Sequence, residues 1–262
     1  MNRYLGPDPQ LTIQTIRTRS PAWFELAESV ISYASDVIHL LEPKLGDTRQ
    51  LAAAILYRRI VSAFEAVIVL AERGMHTEGV TQRRSMLEGL FVLGAIWQKP
   101  DTVKDFLGND QHRVHRILKN TKRMSASIQD DIATDLPPDA VDQKVAELKS
   151  STKGQKAMST ADYADAAGLL DFYLTDYSFS SEATHHVAKD IERQIALDEN
   201  GEVDGLYWGP EKEMPSELLS PAVDYMLMAI KAVEGVFSMQ ESEAVANLRS
   251  QAIDLQEVPA GN

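Results

Sequence analysis

The chain has 262 residues, 44% hydrophobic and 25% charged, which is an ordinary globular balance and excludes a mainly disordered protein. A chain of this length buries roughly 70–75% of its unfolded surface, so it needs neither metal nor disulfide to fold. The absence of cysteine excludes disulfides, thiolate metal sites and a cysteine nucleophile, and a net charge of −13 argues against general nucleic-acid binding, which rests on clustered Lys and Arg.

Residues 1–19, with Pro7 and Pro9, read as a flexible arm, and residues 1–20 contain no apolar run of signal-peptide length. The longest apolar run, 87–97, includes Glu88 and falls short of the roughly 20 residues that span a bilayer. The expectation is a cytoplasmic protein with no membrane segment. Ser20-Pro21 is a helix start, with Ser as N-cap and Pro at the first helical position, and predicts a helix over 22–42 that Pro43 and Gly46 close. A second helix is predicted over 47–73, ended by Gly74, and a third from Thr77, as its cap, to Gln98. Both are apolar on most faces, as helices in the middle of a bundle are. The short turn between them makes them a central antiparallel hairpin.

A fourth helix, 101–124, has a narrow apolar stripe and charged flanks, and belongs on the surface. Residues 125–137 read as polar loop, 139–148 as a short helix and 149–158 as a flexible loop. Helix resumes near Thr160, breaks near Gly168 and continues to about His186. Asn200-Gly201 marks a small β-hairpin within 193–208. The last helices are predicted from Ser216 or Ser220-Pro221 to Phe237 and over 242–255. The fold class is therefore all-α: an irregular multi-helix bundle, one helical domain over 20–256, followed by a disordered tail over 257–262.

Function has to be sought where polar side chains interrupt apolar faces. Arg84 and Glu88, four residues apart, lie about 40° from one another on a helical wheel, beside Phe91, Val92 and Ala95. That surrounding predicts a pair at least half buried. On the second helix Arg58, Ser62 and Glu65 share one side, with Arg59 further round. Tyr173, Tyr177, Ser181 and His185 form a ladder at four-residue steps. Two readings stand side by side: structural clamps that join helices, or one polar interior pocket lined by Arg58, Glu65, Arg84, Glu88, Tyr173, Tyr177, Ser181 and His185. In the second reading His185, Glu88 and Arg84 are the candidates for chemistry. Arg59, Arg83 and Arg84 together are a candidate local anion site.

Other constellations are weaker. Glu182-x-x-His185 has the spacing of di-iron bundles, but those need two such motifs and two further glutamates, so neither a metal nor a cofactor is expected. His112 and His115, on the charged fourth helix, are expected to be solvated. There is no phosphate-cradling glycine loop, dinucleotide fingerprint or Gly-x-Ser-x-Gly elbow. Without a complete catalytic motif, enzymatic activity stays open.

Arg84-Ser85-Met86-Leu87-Glu88 resembles the Arg-Ser-x-x-Glu signature of a bacterial family known as domain of unknown function 5677. The stretch from Ala164 to Gly168 and on through Tyr173, Tyr177, Ser181-Glu182 and His185 is similar to that family's second signature, a Tyr-rich helix leading to Ser-Glu-x-x-His. The resemblance covers roughly residues 50 to 215. It implies an all-α domain without an assigned activity, in which Arg84, Glu88, Ser181 and His185 belong to one family-wide feature. The chain departs from the pattern in carrying His186 directly after His185.

The expected function is binding of a small anionic ligand or a protein partner through the polar pocket, with a homodimer compatible. The alternative is a metal-independent ribonuclease of the HEPN type, as used in toxin and phage-defence systems. That type sets an Arg and a His four to six residues apart on one helix, the His as general base beside a cationic stabiliser. No arginine precedes His185 at that distance, so Arg84 would have to supply the charge from a neighbouring helix.

Overall fold

Prolines open the first two helices, α1 (Pro9–Arg17) and α2 (Pro21–Leu40), at a position where the missing N–H would have no partner anyway. This comes from a computed structural model that describes residues 9–121, 123–135, 137–152, 157–184, 195–206, 209–211, 215–240 and 242–257. The arm expected over 1–19 is helix from Pro9 onward. Ile16 is fully buried in the core, and Arg17 bridges Glu28 and Glu72. One apolar anchor and two ion pairs hold a segment whose composition alone reads as loose.

The central hairpin is α3 (Thr48–Glu72) and α4 (His76–Gln98). Asp47 caps α3 by accepting a hydrogen bond from the Gln50 N–H at 3.0 Å. Gly74, at φ +67°, takes the left-handed turn between the helices, and its carbonyl accepts from the Glu211 N–H. α4 starts at His76, one residue before the expected cap, and Thr77 lies inside the helix. Near the middle of the hairpin the two helices approach closely. A Cβ on Gly89 would stand 2.8 Å from Ile60 Cγ1.

Around this pair run α5 (Thr102–Thr121), α6 (Ala126–Asp135), α7 (Pro138–Ser151) and α8 (Thr160–Ala166), the last with a Ser159/Asp162 capping box. α6 falls where a polar loop is expected, and the segment has no apolar stripe to announce it. Gly168, at φ +71°, breaks the chain as expected. Next come α9 (Leu170–Phe172), a π turn termed π1 (Tyr173–Tyr177) and α10 (Ser178–Thr184). Strands β1 (Ile195–Leu197) and β2 (Val203–Leu206) pair antiparallel, with Ile195 opposite Leu206, in the hairpin that Asn200-Gly201 foretells. The chain ends in α11 (Pro215–Phe237) and α12 (Glu243–Glu257).

The third core helix is α11, which packs against α2, α3 and α4. Tyr57 and Phe64 from α3, Phe91 and Leu90 from α4, and Tyr225 and Ile230 from α11 are all at 1% exposure or less. Each such large apolar side chain contributes about 1.5–3 kcal/mol relative to exposure. The all-α fold with one small hairpin therefore stands as expected.

Two arginines complete this core by pairing with backbone. Pro221 lies inside α11 rather than at its start. Having no N–H, it leaves the carbonyl of Glu217, four residues earlier, without its helical donor. Arg83 Nη1 donates to that oxygen at 2.9 Å from α4. At the other end of α4, Arg49 donates to the Ile96 and Trp97 carbonyls at 3.1 and 3.2 Å. These are helix-terminal oxygens that would otherwise need water.

Candidate functional site

Tyr177 holds the centre of the α4–π1 contact. Its hydroxyl accepts from Arg84 Nη2 at 2.9 Å and donates to Glu88 Oε1 at 2.9 Å. Arg84 Nη2 lies 3.3 Å from the same oxygen, and the guanidinium carbon sits 4.8 Å from the Tyr177 ring centroid. One turn back, Tyr173 stacks on Tyr177 with centroids 5.2 Å apart. Phe91 meets both rings edge-on, at 6.3 and 6.0 Å. The Arg84 side chain is 21% exposed and that of Glu88 47%, so the pair is buried at its cationic end and open at its acidic end. Arg84 Nε is buried without a partner among the described residues.

The π turn explains the tyrosine stack. Widening the helix to an i→i+5 repeat changes the phase of the side chains, and Ser178 Oγ donates to the carbonyl of Tyr173, five residues back. The four-residue ladder expected from Tyr173 through His185 is therefore not one continuous α-helical row. Ser181 is half-buried on α10, and His185 lies outside the described residues, as does His186. The ribonuclease alternative depends on His185.

Behind π1 stands a second polar cluster that the sequence reading did not single out. The Tyr225 hydroxyl donates to Asp176 Oδ2 at 2.6 Å, and burial together with that carboxylate raises its pKa. Asp224 is raised above the usual carboxylate range by burial, against the opposing pull of the Gln256 amide and Arg249. Asp176, 49 residues from Tyr225 in the chain, carries no sequence signal for this contact.

On the opposite side of Glu88 the α3–α4 hairpin opens into a groove of about 650 Å³. Arg58, Arg59 and Ser62 line it from α3, and Gln82, Ser85 and Glu88 from α4. Ile55, Val92 and Phe106 form an apolar wall towards α5. All three α3 polar residues are solvent-exposed, as is Ile55 at 62%. α3 is thus not apolar on all sides, and the polar pocket expected in the interior takes the form of an open groove. Neither the Arg58 nor the Arg59 guanidinium has a hydrogen-bond or ion-pair partner among the described residues. Both contacts of the Glu88 carboxylate fall on Oε1, leaving Oε2 without one.

The expected site residues therefore divide. Arg84, Glu88, Tyr173 and Tyr177 come together across α4 and π1. Arg58 joins Glu88 in the groove, with Arg59, Ser62, Gln82 and Ser85, while Glu65 is exposed on α3 outside the groove lining. Arg59, Arg83 and Arg84 do not form one anion site: Arg59 lines the groove, Arg83 holds Glu217 and Arg84 holds Tyr177. His112 and His115 are half-buried rather than solvated, because α7 packs on α5. Among the described residues no group of three or more His, Cys, Asp or Glu is placed to hold a metal ion. No described helix is long and apolar enough to cross a membrane.

Fold and site thus define a helical protein with a polar groove beside its central hairpin. Residues 50–203, more than half of the chain, match the model of the Family of unknown function (DUF5677), and the chain belongs to that family. The matched span includes α4, π1 and all six polar residues of the groove. No curated protein and no solved structure matches the chain.

Proposed function

We propose that the chain is a binding protein for a small anionic ligand, held in the groove between α3 and α4. The observation that carries this reading is the pair of guanidinium groups, Arg58 and Arg59, without a partner among the described residues and facing one open cavity in a protein of net charge −13. Two adjacent cations with no ion-pair contact among the described residues repel one another, and an anion relieves that repulsion through charge-assisted hydrogen bonds. A volume of about 650 Å³ suits a metabolite-sized molecule. Ser62, Gln82 and Ser85 add neutral donors and acceptors that orient it, and Phe106 closes the apolar end. We read the protein as cytoplasmic, which a cysteine-free chain suits.

The test is a thermal-shift screen of the purified protein against anionic metabolites, beside the double variant R58Q/R59Q. The expected result is stabilisation by a subset of anions that the variant loses. A screen in which no anion shifts the wild type more than the variant contradicts the reading.

A further inference from the structure

The charges around the groove specify more than an anion. Arg84 already pairs with Glu88, and Tyr177 shares the same oxygen of that carboxylate. Their charges offset one another within the fold. Arg58 and Arg59 are then left as two positive charges with no ion-pair contact among the described residues. A monoanion such as a simple carboxylate neutralises only one of them. A phosphate monoester, with a charge of about −1.5 to −2 at pH 7, matches both.

The position of Glu88 adds a second constraint. Its Oε2, without a contact among the described residues, belongs to a carboxylate that lines the same groove. A carboxylate oxygen accepts hydrogen bonds and repels phosphate oxygens. The ligand must therefore present a donor there, away from its anionic group. Antiparallel packing of α3 and α4 around the Gly89–Ile60 contact sets Ser62 and Gln82 towards one end of the groove and Ile55, Val92 and Phe106 towards the other. An apolar or flat body fits the second end.

Resting on the anion-binding reading above, we infer that the groove takes a phosphate monoester whose body carries a hydroxyl group and an apolar face. The monoester lies on Arg58 and Arg59, the hydroxyl donates to Glu88 Oε2, and the apolar face packs on Ile55, Val92 and Phe106. A nucleoside monophosphate combines all three features, and adenosine 5′-monophosphate is a suitable probe.

The experiment is isothermal titration of the full chain at low salt. The probes are adenosine 5′-monophosphate, its phosphate methyl ester, adenosine, the 2′,3′-dideoxy monophosphate, and a set of carboxylate metabolites. The monophosphate should bind about tenfold or more tightly than the monoanionic methyl ester, the step that one charge-assisted hydrogen bond supplies. Its affinity should fall about fourfold between pH 7.5 and 5.5, as the second phosphate proton is taken up with a pKa of about 6. E88Q should narrow the difference in affinity between the monophosphate and the dideoxy compound, and R58Q/R59Q should abolish binding of both. Equal affinity for the monophosphate and its methyl ester, or for adenosine, overturns the inference. A carboxylate that binds through Arg58 and Arg59 while no phosphate monoester does overturns it and leaves the anion-binding reading standing. Binding by no anion at all removes both.

Discussion

Two Arg-Arg pairs lie on adjacent helices of the central hairpin, and their fates are opposite. Arg83 and Arg84 on α4 are engaged, one with the carbonyl that Pro221 frees and the other with Tyr177 and Glu88. Arg58 and Arg59 on α3 are exposed, face a cavity and have no partner among the described residues. The dipeptides are chemically identical. What separates them is the third layer, since α11 and π1 supply the arginines of α4 with acceptors, while no described element covers that part of α3. Engaged cations are explained by the fold. Unengaged ones are open to water and, on the proposal above, to a ligand.

The engaged side should be costly to disturb. Phe91 is fully buried and meets both tyrosine rings, so Phe91→Ala should destabilise the protein by about 3–5 kcal/mol in urea unfolding. A loss below about 1 kcal/mol would mean that the tyrosine stack does not rest on the core. Next in size is Arg83→Ala, which removes the side-chain donor to the Glu217 carbonyl and should cost about 0.5–1.5 kcal/mol, because that contact is open to water. Pro221→Ala restores a backbone N–H to that carbonyl. In a double-mutant cycle the Arg83 effect should therefore shrink markedly in the Pro221→Ala background. An undiminished effect would show that Arg83 acts through some other contact.

Tyr177→Phe removes the hydroxyl between Arg84 and Glu88 and should cost about 1 kcal/mol, because the site is only partly buried. Combined with Glu88→Gln, the two losses should be less than additive. Asp224 gives a smaller, pH-dependent effect. Burial raises its folded-state pKa above the unfolded value, so the folded protein favours the protonated acid. Its contribution is most favourable at acid pH and declines as pH rises through the folded pKa. The melting temperature of Asp224→Asn relative to wild type should therefore improve from pH 4 to pH 8, and a decline over that range would reverse the assignment.

Much of the frame was legible in the sequence, and the reasons are local. Asp47 acts through its capping side chain, and Gly74, Gly168 and Asn200-Gly201 act through their own backbone conformations, and each marks the boundary expected of it. α1 and α6 escaped notice for different reasons. Ile16 needs a core that only tertiary structure provides, and residues 126–135 lack a stripe to read. A helical wheel counts residue types and cannot say which face is covered, so Ile55 helped make α3 look apolar on most faces although it is exposed. The four-residue step from Tyr173 to Tyr177 assumed an α-helix where the chain forms a π turn. In the candidate site, Arg84 and Glu88 were visible as an i, i+4 pair. Their link to Tyr177, 89 residues from Glu88, and that of Arg83 to Glu217, 134 residues away, were not. The groove arginines were noticed as polar intrusions on α3, yet their lack of partners is a property of packing.

The difference between the two arginine pairs comes to a single measurement, the urea unfolding free energy of R58Q/R59Q without added ligand. Removing two exposed, mutually repelling cations should leave stability within about 0.5 kcal/mol of wild type or raise it slightly. A loss of about 2 kcal/mol or more would place Arg58 and Arg59 among the supports of the fold and contradict their assignment to a ligand.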